Sequence, residues 1–165
     1  MNHIIIREAG EADIPTIVAI TQAAFREYEG LLDPPSSVRD ETPERVRAKL
    51  AEGVGLLAAL ADRAVSSVYY TPRDGHVYMG RLAVLPEFRR HGVGLALVGE
   101  VERRVRELGL PAVRIGVRVA LPHLRGFYER MGYCVIAEHS HPGYSTTTFV
   151  TMEKRLAARS DSSFA

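Results

Sequence analysis

Cysteine and tryptophan are almost absent from this sequence of 165 residues, which holds one cysteine, Cys134, and no tryptophan. A single cysteine excludes an internal disulfide framework and any zinc site built from several cysteines. The chain therefore lacks the disulfide density of small secreted domains. We expect a cytoplasmic protein.

An excess of charge of one sign is also absent. Lysine and arginine together number 21, aspartate and glutamate 20, and the formal net charge is +1. This balance gives no electrostatic reason for the chain to bind nucleic acid or an anionic lipid surface. We therefore expect no nucleic acid and no membrane among its partners.

Long apolar runs are missing as well. No segment approaches the roughly 20 apolar residues of a membrane-spanning helix, and the apolar run at residues 4–6 is too short for a signal peptide. Apolar residues still make up 46% of the chain. A chain of this length can bury about two-thirds of its unfolded surface. These features predict one folded domain over residues 1–156 and a flexible C-terminal tail at 157–165.

The order of hydrophobic periodicities predicts the fold class. Alternating and β-branched runs predict strands, and apolar residues three and four apart behind capping residues predict helices. The predicted strands are His3–Arg7, Val54–Ala61, Ala64–Thr71, His76–Leu85, Val113–Val117, Cys134–Glu138 and Tyr144–Met152. The predicted helices are Ile14–Tyr28, Thr42–Leu50, Gly92–Leu108 and Leu121–Met131. The order βααβββαβαββ indicates an α/β (mixed α+β) fold, in which about four helices flank a central, twisted, mostly antiparallel sheet of about seven strands.

The densest chemical signal lies at residues 82–96, where a strand ends and a helix begins. The sequence LAVLPEFRRHGVGLA places Gly92 and Gly94 at the start of that helix. Glycine lets the backbone approach a ligand closely, and the free amides and dipole of a helix N-terminus attract phosphate oxygens. Three neighbouring residues add positive charge: Arg89, Arg90 and His91. The segment is therefore predicted to bind an anion.

Three interpretations of this segment compete. It could be a plain strand-to-helix turn that uses its glycines for packing. It could be the dinucleotide site of an NAD(P)-dependent oxidoreductase, but residues 92–97 lack the third small residue and follow hairpins instead of a first βαβ unit. The third interpretation is a site for acyl-CoA. A P-loop is excluded, because no Gly-Lys-Ser/Thr follows.

Two motifs in the chain resemble those of the GNAT superfamily of N-acetyltransferases. Arg89-x-x-Gly92-x-Gly94, preceded by the strand end at residues 82–86, resembles the family's pyrophosphate-binding motif. The sequence FYERMGY at residues 127–133 resembles the family's closing helix, and Met152-Glu153-Lys154 resembles its final strand. The predicted element order is similar to the family's from His3 to Leu156.

This resemblance implies an acetyl-CoA-dependent N-acetyltransferase without a metal, in which an amine attacks directly within a ternary complex. The Val84 amide would face the thioester carbonyl and stabilise its developing oxyanion, and the Tyr128 phenol would protonate the departing CoA thiolate. The backbone along the pantetheine arm would come from Leu82, Ala83 and Val84. The turn around the pyrophosphate would comprise Arg89, Arg90, His91, Gly92, Val93, Gly94 and Leu95.

The resemblance also implies where a small-molecule or peptide amine would bind. The acceptor wall would include Glu27, Tyr28 and Glu29 at the end of the first helix and Tyr144 before the last strand. Alternation along the strand from residue 76 puts His76 and Tyr78 on the same face as Val84. Many family members carry a carboxylate where this chain has Tyr78, so the proton acceptor for the amine stays open between His76 and a water chain.

Two departures from the family pattern keep a second function open. Besides the carboxylate, the family's frequent asparagine is missing from the segment Leu121-Pro122-His123-Leu124. The alternative is a non-catalytic acyl-CoA-binding sensor or partner-binding module, and a homodimer is compatible with either function. His139 and His141 could share a strand face but have no acidic companion, so no metal site is predicted. Cys134 is predicted to be a small buried apolar residue.

Overall fold

Residues 3–157 are described by the computed structural model. Over these residues the strands are β1 (Ile4–Glu8), β2 (Val54–Leu60), β3 (Arg63–Arg73), β4 (His76–Val84), β5 (Ala112–Arg118), β6 (Cys134–His139) and β7 (Phe149–Arg155). The α-helices are α1 (Ile14–Phe25), α2 (Pro43–Glu52), α3 (Val93–Glu107) and α4 (Pro122–Arg130). The predicted order of strands and helices is confirmed.

The strands form one mixed sheet in the order β1-β2-β3-β4-β5-β7-β6. Antiparallel pairs join β1 to β2, β2 to β3, β5 to β7 and β6 to β7. The pairing of β4 with β5 is parallel, with Val77 opposite Val113 and Tyr78 opposite Arg114. The predicted seven-stranded, mostly antiparallel sheet with four helices is therefore confirmed.

The described chain divides into two compact units. The first contains residues 3–71 and 79–100, and the second contains residues 72–78 and 101–157. The first unit buries apolar side chains of α1, α2, β2 and α3, among them Ile17, Val46, Leu56 and Leu97. The second buries side chains of α3, β5, α4 and β7, among them Val101, Val113, Tyr128 and Met152.

Capping residues fix the starts of the helices much as the sequence predicts. The Thr42 hydroxyl accepts a hydrogen bond from the Arg45 amide, 3.3 Å away, and Pro43 occupies the first position of α2. Proline is tolerated there because the first amides of a helix have no acceptor within it. α1 is shorter than predicted, since residues Arg26–Tyr28 continue it as a 3₁₀ turn.

The last strand was predicted wrongly at its start. Residues 144–148 are a loop, and β7 begins at Phe149. The Tyr144 amide donates to the His141 carbonyl, and the Ser140 hydroxyl donates to the Thr146 carbonyl, so local bonds replace a strand ladder. Serine and threonine side chains often satisfy loop backbone in this way.

The prediction of a buried Cys134 is also wrong. Cys134 is exposed, as are Ile136 and Glu138 on the same face of β6. The order of strands places β6 at the edge of the sheet, and its alternate residues on this face have no covering element among the described residues. A cysteine at the first position of an edge strand therefore stays accessible.

None of the helices between residues 3 and 157 is both long enough and apolar enough to cross a bilayer. The predicted tail at 157–165 lies outside the described residues except for its first residue. The single-domain prediction for residues 1–156 stays a prediction.

Candidate active site

The turn before α3 has the backbone of an anion-binding site. The first hydrogen bond of α3 is donated by the Ala96 amide to the Gly92 carbonyl, at 3.0 Å. The amides of Val93, Gly94 and Leu95 therefore have no acceptor within the helix, as expected for a first turn. An α-helix of 15 residues adds its positive N-terminal dipole end at the same place.

Two residues of this turn have left-handed backbone. Gly92 has φ of +76° and Arg90 has φ of +66°. A Cβ added to Gly92 would meet no heavy atom within 4 Å, so the backbone angle, and not crowding, is what favours glycine there. Both left-handed residues lie in the segment between the end of β4 at Val84 and the start of α3 at Val93.

Arg89 ties this turn to the end of α1. Its guanidinium forms an ion pair with Glu27 and donates a second hydrogen bond to the Ala24 carbonyl, at 2.8 Å. Its charge is therefore largely matched by Glu27, and the exposed basic residues of the turn are Arg90 and His91. Predicted cofactor residue Arg89 and predicted acceptor residue Glu27 thus lie in contact, within the first unit.

β4 leads into the turn with an interruption of its own. Arg81 has φ of +57°, and the three residues assigned to the pantetheine arm, Leu82, Ala83 and Val84, follow directly. The Ala83 carbonyl accepts from the buried Ser66 hydroxyl at 2.7 Å, and the Leu85 amide donates to the Val65 carbonyl at 2.9 Å. These bonds to β3 fix the end of β4.

The Arg81 side chain was not singled out by the sequence. Its Nη2 donates to the Ser37 hydroxyl at 2.7 Å, and its Nε lies 3.9 Å from the Glu41 carboxylate. Glu41 is buried and forms an ion pair with Lys49 at 2.6 Å, while burial lowers the pKa of Lys49. An arginine inside an otherwise apolar strand was the available signal, but its partners lie about 40 residues away in sequence.

In the second unit, Tyr128 is 8% exposed and sits on α4. Its ring contacts those of Phe127 and Tyr133 edge-on, with centroids 5.0 and 5.6 Å away. Burial raises the pKa of Tyr128, and the nearby phenol of Tyr78 raises it further. The hydroxyl therefore keeps its proton at neutral pH, which is the state that a proton donor needs before transfer.

Tyr78 lies on β4 in the same unit and is 43% exposed. A Cβ on Gly116 of β5 would lie 3.1 Å from the Tyr78 hydroxyl oxygen, so this phenol extends across the neighbouring strand. The structure thus brings predicted residues Tyr78 and Tyr128 together. Gly116 was missed, since a lone glycine inside a strand carries no specific sequence signal.

Tyr133 holds the end of α4. Its hydroxyl donates to the Glu102 carboxylate at 3.1 Å, and the Lys154 ammonium lies 3.1 Å from both oxygens of the same carboxylate. Burial raises the pKa of Tyr133, with the Glu102 charge as the second cause. Tyr133 therefore contacts structural partners on α3 and β7, while Tyr128 precedes it by five residues in the same motif.

The end of α1 and the segment before α2 enclose a cavity of about 580 Å³ in the first unit. Predicted acceptor residues Tyr28 and Glu29 line it. Glu27 is not among its lining residues and contacts Arg89 instead. Burial raises the pKa of Tyr28, helped by the Glu27 charge. We call this cavity, lined by residues between Gln22 and Asp40, the α1–α2 pocket.

The remaining predicted acceptor residues lie in the second unit. The Nδ1 atom of His76 lies 3.1 Å from the Asp74 carbonyl oxygen in the β3–β4 turn. Tyr144 is half-buried in the β6–β7 loop, and its ring contacts His141 edge-on. His139 and His141 both pack on Phe149. Between residues 3 and 157, no three metal-ligating side chains gather at one place.

Comparison with known proteins identifies the class to which this fold and turn belong. Residues 17–133, more than half of the chain, match the model of the acetyltransferase (GNAT) family. The chain therefore belongs to the GNAT acetyltransferase family, whose members are acetyl-CoA-dependent N-acetyltransferases.

Solved structures share the fold along nearly the whole chain. The ribosomal-protein-S18-alanine N-acetyltransferase from Escherichia coli is 13% identical, with 99% of this chain and 100% of that chain covered and a TM-score of 0.78. The PaiA N-acetyltransferase from Thermoplasma acidophilum, in complex with coenzyme A, is 18% identical, with 93% and 99% covered and a TM-score of 0.79. Ard1 from Thermoplasma volcanium is 22% identical, with 93% and 98% covered and a TM-score of 0.74. At these identities the likeness is one of fold.

Proposed function

We propose that this protein transfers the acetyl group of acetyl-CoA to an amine by direct attack within a ternary complex. The observation that carries this proposal is the start of α3, where free amides follow a left-handed glycine. A diphosphate would find there several amide donors and the helix dipole. The exposed Arg90 guanidinium adds positive charge in the same turn.

In this proposal the backbone of Leu82, Ala83 and Val84 binds the pantetheine arm. The bonds that β3 makes to Ala83 and Leu85 hold this stretch of β4 in place before a ligand arrives. The Val84 amide would donate to the thioester oxygen as negative charge develops on it, which is the arrangement that most favours acyl transfer.

The acetyl-CoA thioester supplies an activated acetyl carbon. The amine nitrogen bonds to that carbon, the carbon–sulfur bond breaks, and the sulfur leaves with the electron pair. The attacking nitrogen is that of the neutral amine. Tyr128 donates its phenolic proton to the sulfur, and the proton that the nitrogen loses passes through water to the Tyr128 phenolate, which restores the acid. Because burial keeps Tyr128 protonated, the residue enters each turnover as an acid.

Calorimetric titration with acetyl-CoA tests the proposal, with NADH as the comparison ligand. We expect acetyl-CoA to bind and Gly94→Asp to weaken binding at least tenfold, because the new carboxylate would face the phosphate oxygens. Gly99→Asp is the matched control: Gly99 lies on α3, and a Cβ there meets nothing within 4 Å. Thermal melts check that both variants fold.

Binding of NADH in preference to acetyl-CoA would contradict the proposal and indicate a dinucleotide site. If Gly94→Asp and Gly99→Asp weaken acetyl-CoA binding equally, the added carboxylate acts at a distance. The loss of affinity would then be no evidence that the phosphates bind at the turn before α3.

A further inference from the structure

The α1–α2 pocket is lined by charged side chains of both signs. Arg26 and Glu29 come from the segment after α1, and Arg39 and Asp40 come from the 3₁₀ turn Ser37–Asp40. All four are exposed at the cavity, and within residues 3–157 none of these side chains takes part in an ion pair. Two cations and two anions leave the lining with no net charge.

Some exposed charges elsewhere in the described chain are paired, as in Arg47 with Glu11 and Arg125 with Glu129. Opposite charges that line one cavity and do not pair are available to a ligand that carries both signs. A polycation would meet two arginines there, and each like-charge approach is unfavourable.

The pocket also has an apolar part. Leu32 and Val38 are 7% and 2% exposed and are its buried lining residues, and the rings of Phe25 and Tyr28 pack edge-on with centroids 5.9 Å apart. A volume of about 580 Å³ suits a small molecule. The pocket thus fits a small zwitterion with a hydrocarbon side chain.

Two arginines connect the pocket to the segments assigned to acetyl-CoA. Arg89, in the turn before α3, bonds to the Ala24 carbonyl and pairs with Glu27, which are neighbours in sequence of lining residues on the α1 side. Arg81, directly before the pantetheine stretch of β4, bonds to Ser37, which lies in sequence between two lining residues. The segments on both sides of the pocket are therefore bonded to residues next to the proposed cofactor site.

We propose that the amine acceptor is an apolar α-amino acid or a close analogue, bound in the α1–α2 pocket. This inference rests on the proposed function. Arg26 and Arg39 bind the carboxylate, Glu29 and Asp40 attract the ammonium group, and the hydrocarbon side chain packs on Leu32 and Val38. The ammonium group first loses one proton to solvent. The neutral nitrogen then bonds to the acetyl carbon as the carbon–sulfur bond breaks, and the second proton that it loses replaces, through water, the one that Tyr128 gives to the CoA sulfur. The amide product has no positive charge, which weakens its attraction to the two acids and favours release.

Matched acceptor series test this proposal. Leucine, methionine and phenylalanine are compared with their amides, which imitate a peptide N-terminus, with their decarboxylated amines, and with spermidine. We expect kcat/KM for the amino acids to exceed that for the other compounds at least tenfold. Arg26→Gln and Arg39→Gln should each raise KM for the amino acids about tenfold and leave KM for the amides unchanged.

Arg73→Gln is the control variant, because Arg73 is an exposed arginine at the end of β3 and does not line the pocket. It should keep the wild-type preference. Acetylation of the amides, the amines or spermidine as efficiently as the amino acids would overturn the proposal, and so would an unchanged preference in Arg26→Gln/Arg39→Gln.

Direct titration separates this proposal from the proposed function. Leucine and its decarboxylated amine are titrated into the protein with and without acetyl-CoA. Acetyl-CoA binding without binding or acetylation of any amino acid would overturn the zwitterion proposal alone. Leucine binding that is lost in Arg39→Gln, in a protein that binds no acetyl-CoA, would support the pocket and overturn acetyl transfer.

Discussion

Tyr128 and Tyr133 show how two tyrosines five positions apart serve different purposes. Tyr133 donates to Glu102, which Lys154 also contacts, so its hydroxyl is part of a buried structural network. Tyr128 instead lies near the Tyr78 phenol, which is partly exposed. Of the two phenols, that of Tyr128 is therefore the one to which we assign the proposed proton transfer.

Substituting Tyr128→Phe should lower kcat roughly 10²–10⁴-fold, the usual contribution of a positioned general acid, and leave the Kd for acetyl-CoA unchanged. Single-turnover kinetics and calorimetry measure the two quantities. Tyr133→Phe should instead lower the free energy of unfolding by about 1–2 kcal/mol, since a hydrogen bond to a carboxylate is lost. A Tyr128→Phe protein with wild-type turnover would exclude this residue as the acid.

At the residue scale, motif residues could be predicted and long-range partners could not. Gly92 and Tyr128 belong to local patterns, and the backbone angle of one and the burial of the other fit their predicted roles. Arg81 bonds to a serine 44 positions earlier, and no local pattern encodes that distance. Cys134 was misjudged because its accessibility depends on which strand lies at the sheet edge.

Among the elements, the entry into α1 is fixed by charge. Arg7 of β1 donates to both oxygens of Asp13, at 2.9 and 2.7 Å, and the Gly10 amide donates to the same carboxylate at 2.8 Å. The Arg7 hydrogen bonds lower the pKa of Asp13 to about 2. The ionised carboxylate thus connects the end of β1 to the start of α1.

Because the folded-state pKa of Asp13 lies below its ordinary value, its contribution to stability is present above pH 4 and decreases as the pH falls towards 2. Asp13→Asn should lower the free energy of unfolding by about 1 kcal/mol at pH 7, since Arg7 is half-exposed and solvent screens the pair. Urea denaturation at pH 7 and pH 3 should show a smaller difference at the lower pH.

Glu11→Gln provides the comparison, because Glu11 pairs with Arg47 where both side chains are exposed. Its effect on unfolding should be smaller than that of Asp13→Asn at pH 7. An equal effect of the two substitutions, or one that does not depend on pH, would contradict the role assigned to Asp13.

Element types and order were predictable where periodicity and caps agree, as at α2, which begins at the predicted Pro43 behind the Thr42 cap. The start of β7 was not, because residues 144–148 have β-branched threonines typical of a strand but use their side chains within the loop. One example is the Thr148 hydroxyl, which accepts from the His141 amide at 2.9 Å. Propensity alone does not decide such a competition.

For the whole molecule, the residues assigned to the cofactor, the acceptor and the proton donor are divided between the two compact units. The turn before α3 and the α1–α2 pocket belong to the first, while Tyr78 and Tyr128 belong to the second. β4 contributes to both, because its residues up to Tyr78 belong to the second unit and those from Met79 to the first. A sequence motif can indicate each part. The class of amine acceptor, by contrast, could be proposed only from the residues that line the α1–α2 pocket.

The hydrogen bonds from Arg81 to Ser37 and from Arg89 to Ala24 are tethers, and we expect them to couple the two proposed ligand sites thermodynamically. If acetyl-CoA steadies the turn and β4, it also steadies the segments next to the pocket, and the acceptor then loses less entropy on binding. By reciprocity, the factor by which acetyl-CoA tightens the acceptor must equal the factor by which the acceptor tightens acetyl-CoA. We expect a factor of about five or more from calorimetric titrations in both orders, falling towards one in Arg81→Gln. If Arg81→Gln and the wild type show equal cooperativity, the hydrogen bond from Arg81 to Ser37 does not contribute to the coupling. With the tether intact, each ligand favours binding of the other, so the ternary complex fills at lower concentrations of both than two independent sites would need.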